Sequence, residues 1–379
     1  MNVLSLFDGK SSGYTACELA EIPVTSYYSA EIDKYAIQVS DAIHPNQTRL
    51  GDVTKWREWD IDWSSIDLML GGFPCQAWSV AGKQLGDKDQ RGMLFWVMLD
   101  IFKHVRQHNP NAHFLIENVK MKAEFEKYIT YHTEQALGVV YKTLINSALV
   151  SAQNRQRYYW TSFPVGQPAD RGITWGDVRE HGVEWSPIYY SDKALEWIGK
   201  HGTRNGKRLK IHDEMEKMQM IEASHFKKYS SQRFFGIIDT PAQITGRRLN
   251  TQGRREDYNK DIKTTQCLEV RGGEKVNCLT TVRKDVVISV LPIGRYPDVF
   301  NQLEEGKHYR YITTRECFRL QTVPEHYIDK ILNCGVSNTQ LYKIAGNGWT
   351  DEVIAHILRG INNPVKEVPS DDIFDKFFG

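Results

Sequence analysis

The sequence predicts an α/β protein with a doubly wound, mostly parallel sheet and a second, smaller and irregular domain. Short apolar segments alternate with segments of helical period along residues 1–163, as in proteins that place helices on both faces of a parallel sheet. This alternation stops over residues 164–300, where Gly/Arg-rich loops take its place. The length of 379 residues suits two domains.

The first part of the chain supplies strands and helices in turn. Each predicted strand is a short apolar or β-branched run, and each predicted helix repeats apolar residues with a helical period. The predicted strands are Val3–Phe7, Thr25–Ala30, Ile66–Leu70, Phe114–Ile116, Val139–Ile145 and Tyr158–Thr161. The predicted helices are Gly13–Ala20, Lys34–Ile43, Met93–Gln107 and Ala123–Leu137.

Fewer elements are predicted further along the chain. Val286–Leu291 has the composition of a strand, and Asp213–Ala223, Thr314–Leu320 and Asp351–Gly360 have that of helices. We expect the last helix to pack back on the first domain. The expected domain bounds are 1–164, 165–300 for the inserted domain, 301–363 for the returning segment and 364–379 for a charged tail.

Positive charge is concentrated in one stretch. Residues 200–285 hold 19 Lys/Arg and 11 Asp/Glu, a balance of +8, whereas the remainder holds 29 and 36, a balance of −7. Such a block in a mildly acidic chain favours a polyanionic partner. A solvated basic surface is the alternative.

Composition excludes several classes of protein. No apolar run approaches the ~20 residues of a membrane helix, so no membrane partner is expected. The six cysteines show no CxxC pair and no Cys/His ligand spacing, which argues against a disulfide framework or a metal site. We expect a reducing, cytoplasmic compartment, where a free thiol stays available.

One cysteine stands at a sharp turn. The run Gly71-Gly72-Phe73-Pro74-Cys75-Gln76 directly follows the strand Ile66–Leu70. In open α/β sheets, ligands bind at the carboxyl ends of the strands. A lone cysteine is usually inert core filler, so Cys75 becomes a candidate nucleophile only through its partners.

Three further motifs follow strands. Phe7–Gly13 is a glycine loop that opens a helix, and Glu31 and Asp52 end the next two segments. The loop would admit a ligand close to the backbone, Glu31 could accept ribose hydroxyls, and Asp52 could accept an adenine amine. Together these residues favour an adenosine-containing cofactor.

A carboxyl group and two guanidinium groups complete the pattern. Glu117 follows Phe114–Ile116, where apolar surroundings favour a raised pKa and the role of proton donor. Arg155 and Arg157 alternate along the chain and so share one strand face, from which they could favour a thiolate and bind oxygens. The alternative for Glu117 is a carboxylate that caps the N-terminus of a helix. The alternative for Arg155 and Arg157 is a solvated basic edge strand.

In this order the motifs resemble those of the DNA (cytosine-5)-methyltransferase family, above all its compact bacterial and phage members. The matching residues are Phe7-Asp8-Gly9…Gly13, Glu31, Asp52, Pro74-Cys75-Gln76, Glu117-Asn118-Val119, Gln153-x-Arg155-x-Arg157, Arg315–Gln321 and Gly346-Asn347-Gly348. The resemblance covers nearly the whole chain except about 165–300. It implies a Rossmann-like, S-adenosylmethionine-dependent catalytic domain and a target-recognition domain in the insert.

The resemblance also implies roles for residues. The catalytic residues would be Cys75, Glu117, Arg155 and Arg157. Cys75 would attack carbon 6 of a flipped-out cytosine, and Glu117 would protonate ring nitrogen 3. The cofactor residues would be Phe7, Gly9, Lys10, Gly13, Glu31, Ile32, Asp52, Val53, Pro74, Leu94 and Asn347. The DNA contacts would be Gln76, Arg91, Gln153, Arg247, Arg248, Arg254 and Arg255, with no metal.

Two positions depart from the family pattern. Phe73 stands where a small residue is common, and Lys10 stands where an apolar residue is usual. Lys10 could pair with the methionine carboxylate of the cofactor or extend to water. Alternatively, it could pair with a carboxylate on the transferred group, as in carboxy-S-adenosylmethionine, which would yield 5-carboxymethylcytosine.

Other functional classes remain as alternatives. An RNA cytosine-5 methyltransferase would share the motifs, but the basic insert favours double-stranded DNA. A nicotinamide oxidoreductase would leave Cys75, Glu117 and the two arginines without a common purpose. A catalytically inactive DNA-binding protein would not need Cys75 and Glu117. We expect a monomer, and a cognate restriction endonuclease is an open question.

Overall fold

The computed structural model describes residues 1–74, 92–180, 203–204, 207–208, 237–248, 257, 259, 261–270, 276–277, 287–292 and 309–362. The predicted helix Asp213–Ala223 lies outside these ranges. The chain divides into two compact units, Met1–Ile173 with Phe318–Gly379 and Thr174–Cys317.

The first unit contains a seven-stranded sheet in the order β3-β2-β1-β4-β5-β8-β6. Only β8 runs against its neighbours β5 and β6, so the sheet is mostly parallel, as predicted. Helices cover its central strands on both faces, so the side chains of these strands are mostly apolar. The strands of this part of the chain are β1 Asn2–Leu6, β2 Ser26–Ala30, β3 Thr48–Arg49, β4 Leu68–Gly71, β5 His113–Val119, β6 Tyr141–Asn146, β7 Gln153–Asn154 and β8 Gln156–Thr161, of which all but β7 form this sheet.

Two cores lie on opposite sides of this sheet. Successive strand residues point to opposite faces, so Leu4 and Phe114 join one core and Val3 and Leu115 the other. The first core includes the buried face of α3. The helices of this part are α1 Ser12–Leu19, α2 Lys34–Ile43, α3 Met93–His108 and α4 Ala123–Leu137, within one residue of the predicted bounds.

The second unit is built mainly from antiparallel strands. Its largest sheet has the order β12-β11-β14-β15, and β9 pairs with β10. The predicted strand Val286–Leu291 is found as β14. The elements are α5 Trp175–Val178, β9 Thr203–Arg204, β10 Lys207–Arg208, β11 Ile237–Arg248, β12 Thr264–Val270, β13 Val276–Asn277, β14 Val287–Pro292 and β15 Tyr309–Tyr311.

Four helices end the described chain: α6 Thr314–Leu320, α7 Glu325–Asn333, α8 Asn338–Asn347 and α9 Asp351–Asn362. The helix α9 packs on α1 in the second core, and Arg359 donates to the carbonyl oxygen of Leu19 at 2.6 Å. None of the described helices is long and apolar enough to cross a membrane.

Several predicted strand bounds differ from the structure by one to three residues, and for two of them the structure gives the cause. β5 continues to Val119 because β8 pairs with it, opposite Glu117 and Asn118, so these residues lie within a strand and not after it. β1 ends at Leu6 because Phe7 has a φ of 56°, in the left-handed region that ends a strand. The helices α7 and α8 were not predicted.

Candidate active site

A cavity of about 620 Å³ lies in the first unit, at the carboxyl ends of β1, β2, β4 and β5. This is within the size range of small-molecule sites. The turn between α8 and α9 forms its opposite wall. The cavity is lined by the predicted cofactor residues Phe7, Gly9, Lys10, Glu31, Ile32, Asp52, Val53, Pro74, Leu94 and Asn347, and by Glu117, Arg155 and Arg157.

The glycine loop is fixed by Glu31. The backbone N–H of Gly9, at a φ of 60°, donates to Oε2 of Glu31 at 2.9 Å. The N–H groups of Ile32 and Asp33 donate to Oε1 at 2.7 and 2.8 Å. One carboxylate therefore joins the loops after β1 and β2, which pre-forms this wall.

Gly13 does not line the cavity. A Cβ at this position would lie 2.4 Å from Cδ1 of Leu70 and 2.7 Å from the hydroxyl of Tyr27. The same Tyr27 hydroxyl donates to the buried Asp8 at 2.7 Å, and burial raises the pKa of Asp8. Gly13 is thus needed for close packing of α1 on the sheet, and contact with a cofactor is not its role here.

The residues at this end fit the adenosine part of S-adenosylmethionine. Asp52 uses Oδ1 to accept from the backbone and hydroxyl of Thr54, both at 2.9 Å, which orients its carboxylate. Carboxylates of this kind accept hydroxyl and amine hydrogens. Ile32 lines the cavity while 72% exposed, an apolar surface suited to a flat ring.

Lys10 has a carboxylate partner within the chain. Its Nζ donates to Oδ1 and Oδ2 of Asp351 at 2.7 and 2.8 Å, and both side chains are fully buried. Burial raises the pKa of Asp351, and the Lys10 ammonium acts against that rise. The carboxylate that Lys10 meets in the structure is Asp351, a partner that the sequence analysis does not name, and Lys10 does not extend to water.

The opposite end of the cavity carries Glu117. Its Oε2 accepts from the indole Nε1 of Trp349 at 3.0 Å, and Nε of Arg157 lies 3.1 Å from its Oε1. The next residue, Asn118, donates from its side chain to the carbonyl oxygen of Phe73 at 3.0 Å. The catalytic carboxyl candidate and the turn before Cys75 are therefore tied together.

Arg155 lines the cavity and also holds one of its walls. It is 3% exposed, and its NH1 and NH2 donate to the carbonyl oxygens of Gly346 and Gly348 at 3.3 and 2.9 Å. These bonds hold the wall that carries Asn347. Arg155 therefore positions the site, whereas Arg157 contacts Glu117 directly.

The structure does not bring every predicted site residue to the cavity. Gln153, a predicted DNA contact, is fully buried and donates to the carbonyl oxygen of Leu320 at 3.1 Å. In the second unit, Arg248 donates to the carbonyl oxygens of Asp257 and Ile262 at 2.8 and 3.1 Å, and Arg247 lies 3.6 Å from the Asp257 carboxylate. Outside the described residues lie Cys75, Gln76, Arg91, Arg254 and Arg255.

The sequence analysis missed two residues that line the cavity, Trp349 and Lys343, and the partner of Lys10, Asp351. Trp349 directly follows the recognised Gly346-Asn347-Gly348 run, which is the only signal that could have found it. The sequence analysis predicts Asp351 only as the first residue of a helix. Lys343 donates to Asp33 at 2.6 Å across the cavity; burial acts to raise the pKa of Asp33, but bonds from Lys343 and Tyr35 outweigh it and lower that pKa.

Neither a metal cluster nor a reactive thiol is found in the described part of the site. No group of three His, Cys, Asp or Glu residues there could hold a metal ion. Among the described cysteines, Cys17 is buried, and burial raises the pKa of its thiol to about 12. No described cysteine lines the cavity.

Comparison with known proteins gives the same family as the motifs. The model of the C-5 cytosine-specific DNA methylase family matches residues 1–363. A type II methyltransferase of Lactococcus lactis subsp. cremoris, M1.ScrFI, is 30% identical over 86% of this chain and 68% of its own length. An orphan methyltransferase of Bacillus phage SPR, M.SPRI, is 23% identical over 95% and 97%.

The fold has solved counterparts as well. The structure of the Entamoeba histolytica methyltransferase EhMeth superposes with a TM-score of 0.61 at 14% identity, covering 97% of this chain and 99% of that one. The fold is thus the Rossmann-like fold of S-adenosylmethionine-dependent methyltransferases. With the family model spanning nearly the whole sequence, the chain belongs to the C-5 cytosine-specific DNA methylases, enzymes that use S-adenosylmethionine to methylate cytosine in DNA at carbon 5.

Proposed function

We propose that the protein methylates carbon 5 of a flipped-out cytosine in duplex DNA through a covalent bond between Cys75 and carbon 6. Glu117 is the proton donor to ring nitrogen 3. The described chain supplies the cofactor wall, the proton donor and the turn that leads to the nucleophile. The second unit and the loop that contains Gln76 and Arg91 would contact the DNA.

The contact between Asn118 and Phe73 carries this proposal. The Asn118 amide binds the carbonyl two residues before Cys75, and Pro74, the preceding residue, lines the cavity. A Cβ at Gly72 would lie only 3.2 Å from Oε2 of Glu117. The chain therefore leaves β4 beside Glu117 and lines the cavity as far as Pro74, the residue before Cys75.

The chemistry needs both groups because cytosine carbon 5 is a weak nucleophile. Addition of the Cys75 thiolate to carbon 6, with proton transfer from Glu117 to nitrogen 3, makes carbon 5 electron-rich. S-adenosylmethionine supplies a methyl group on a sulfonium sulfur. Loss of the carbon-5 proton to water and departure of the thiolate restore the ring.

Residues around the cavity would orient the reactants. Phe7, Ile32, Glu31 and Asp52 would hold the adenosine. Arg157, beside Glu117, would bind the carbonyl of the base and the charge that develops there. A base cannot reach this cavity from inside a duplex, so it must leave the stack at a cost of a few kcal/mol.

Mass spectrometry of nucleosides tests the proposal. Unmethylated genomic DNA incubated with the full chain and S-adenosylmethionine should yield 5-methylcytosine. Cys75→Ala should abolish it, whereas Cys334→Ala, which removes a thiol that does not line the cavity, should not. DNA containing 5-fluorocytosine should form a denaturant-stable complex with the unmodified protein only. Product formation by Cys75→Ala at the full rate would refute the covalent mechanism.

Two further arms of this experiment address the alternatives. Transfer RNA in place of DNA tests whether the protein is an RNA methyltransferase. If the RNA is methylated and the DNA is not, RNA and not duplex DNA is the substrate. Carboxy-S-adenosylmethionine in place of the methyl donor tests carboxymethyl transfer. Because Lys10 is already paired with Asp351, no contact in the structure favours that transfer, and we expect only 5-methylcytosine.

A further inference from the structure

Trp349 holds one oxygen of the proposed proton donor. Its Nε1 donates to Oε2 of Glu117 at 3.0 Å in a buried bond, and the indole is 9% exposed. An indole N–H donates and never accepts. Oε2 is therefore engaged as an acceptor.

The second oxygen of Glu117 also faces a donor. Nε of Arg157 lies 3.1 Å from Oε1, and a guanidinium offers only N–H donors. Each carboxylate oxygen has two lone pairs, so both donors can stay in place when the carboxyl group takes up or gives away a proton. The two donors therefore fix the orientation of the carboxyl group.

The indole is enclosed on the side of the turn before Cys75. A Cβ at Gly72 would lie 2.9 Å from Nε1 and 3.1 Å from Cζ2 of Trp349, so only glycine admits the ring here. The residue after the indole, Thr350, is 1% exposed and hydrogen-bonded through its hydroxyl to Gln321 and Ser147. Trp349 is thus fixed at both edges.

Arg157 holds the other oxygen and also lines the cavity. Its Nε lies 3.1 Å from Oε1 of Glu117, and its NH1 donates to the carbonyl oxygen of Gln156 at 2.9 Å. The carboxyl group is thus held by one charged and one neutral donor, and Trp349 is the neutral one.

We propose that Trp349 is a positioning residue that holds Glu117 through Oε2 in the orientation from which its carboxyl group protonates ring nitrogen 3. This inference rests on the proposed function. As Sγ of Cys75 bonds to carbon 6, the C5=C6 electron pair shifts into the C4–C5 bond and the C4=N3 pair takes the proton of the Glu117 carboxyl group. The C4=C5 pair would then bond to the methyl carbon as its bond to the sulfonium sulfur breaks, and the nitrogen 3 lone pair restores C4=N3. Carbon 5 loses its proton to water, that electron pair forms C5=C6 as the Sγ–C6 bond breaks, and nitrogen 3 returns its proton to Glu117.

Trp349→Phe tests this role, because it removes the donor and keeps an aromatic ring. Two rates would be measured with the full chain on unmethylated DNA: single-turnover methylation, and exchange of cytosine H5 for deuterium, which needs only thiolate addition and protonation. Both should fall about tenfold, the usual scale for losing a hydrogen bond to a charged group. The Kd for S-adenosylhomocysteine should change less than about twofold, since Trp349 acts through Glu117.

Trp160→Phe is the matched control. Trp160 is also buried, and its Nε1 donates to the hydroxyl of Thr130 at 2.8 Å, away from the cavity. It should lose stability without losing H5 exchange. Gly72→Ala places a methyl group against the indole of Trp349 and should reproduce the kinetic defect of Trp349→Phe.

The outcomes separate this inference from the function on which it rests. If the unmodified protein makes no 5-methylcytosine, the proposed function fails. If it does, and Trp349→Phe keeps both rates, the positioning role fails alone. A Trp349→Phe variant that loses S-adenosylhomocysteine binding in parallel with its rates would show a merely structural residue and would also overturn the inference.

Discussion

The two walls of the cavity are stabilised in different ways. On the strand side, backbone N–H groups of Gly9, Ile32 and Asp33 converge on the Glu31 carboxylate, each from within 22 residues of Glu31 along the chain. On the helix side, the turn between α8 and α9 accepts from distant side chains. Lys10 reaches Asp351 across 341 positions, and Arg155 reaches Gly348 across 193.

This difference determines how each wall responds to substitution. Backbone donors survive nearly any side-chain change, so the strand-side wall depends chiefly on Glu31 and on left-handed backbone at a few positions. The helix-side wall depends on buried charges. Removing one member of a buried ion pair leaves the other uncompensated, which costs far more than the pair contributes when intact.

Asp351→Asn should give the largest effect. It leaves the fully buried Lys10 ammonium without its carboxylate, and we expect the free energy of unfolding to fall by ~3–5 kcal/mol in urea titrations. Replacing both members, Lys10→Met with Asp351→Leu, should restore most of that loss. The surface pair of Arg319 and Glu325 is the control, since Arg319→Gln should cost less than ~1 kcal/mol. Equal losses at both pairs would contradict the contrast between the walls.

His44 should make stability depend on pH in the same region. Its ring is buried, stacks on Tyr14 at 4.2 Å and bonds to the hydroxyl of Thr15 at 2.9 Å. Burial, followed by the charge of Lys10, lowers its pKa from 6.5 to about 3. Between pH 6.5 and 3, the imidazole of His44 is protonated in the unfolded chain but neutral in the folded chain. The free energy of unfolding therefore decreases as the pH drops from 6.5 towards 3.

The expected slope is up to ~1.4 kcal/mol per pH unit in that window. His44→Gln should remove it, as measured by urea unfolding at several pH values. Asp8 and Asp351, whose pKa values burial raises, act in the opposite direction but are present in both proteins. Subtracting the two curves isolates His44; parallel curves would show that the ring takes up a proton in the folded state.

Much of the strand-side wall could be predicted from the sequence. Strand ends, the glycine loop and Glu31 follow from local patterns, because parallel strands bring their carboxyl ends to one edge. The order of the motifs also identified Glu117 and Arg157 as cavity residues. The reversed strand β8 completes the sheet beside β5 and brings Arg157 against Glu117.

The helix-side wall could not be predicted in this way. Neither Asp351 nor Trp349 differs locally from a residue that starts a helix or fills a core. Their roles depend on tertiary contacts with Lys10 and Glu117, which no periodicity encodes. The hydrogen bonds of Arg155 to this wall could not be predicted for the same reason, since its carbonyl partners lie 191 and 193 residues away.

The smallest effect is expected on the strand side, at Gly9. Its φ of 60° favours glycine, but a Cβ there would meet nothing within 4 Å. Gly9→Ala should therefore cost only the backbone strain, ~1 kcal/mol, and keep the N–H bond to Glu31. Calorimetric titration should show S-adenosylhomocysteine affinity reduced by less than about tenfold. If Gly9→Ala lowered the free energy of unfolding as much as Asp351→Asn does, the strand-side wall would be as sensitive to a single substitution as the helix-side wall. The proposed difference between the walls would then not stand.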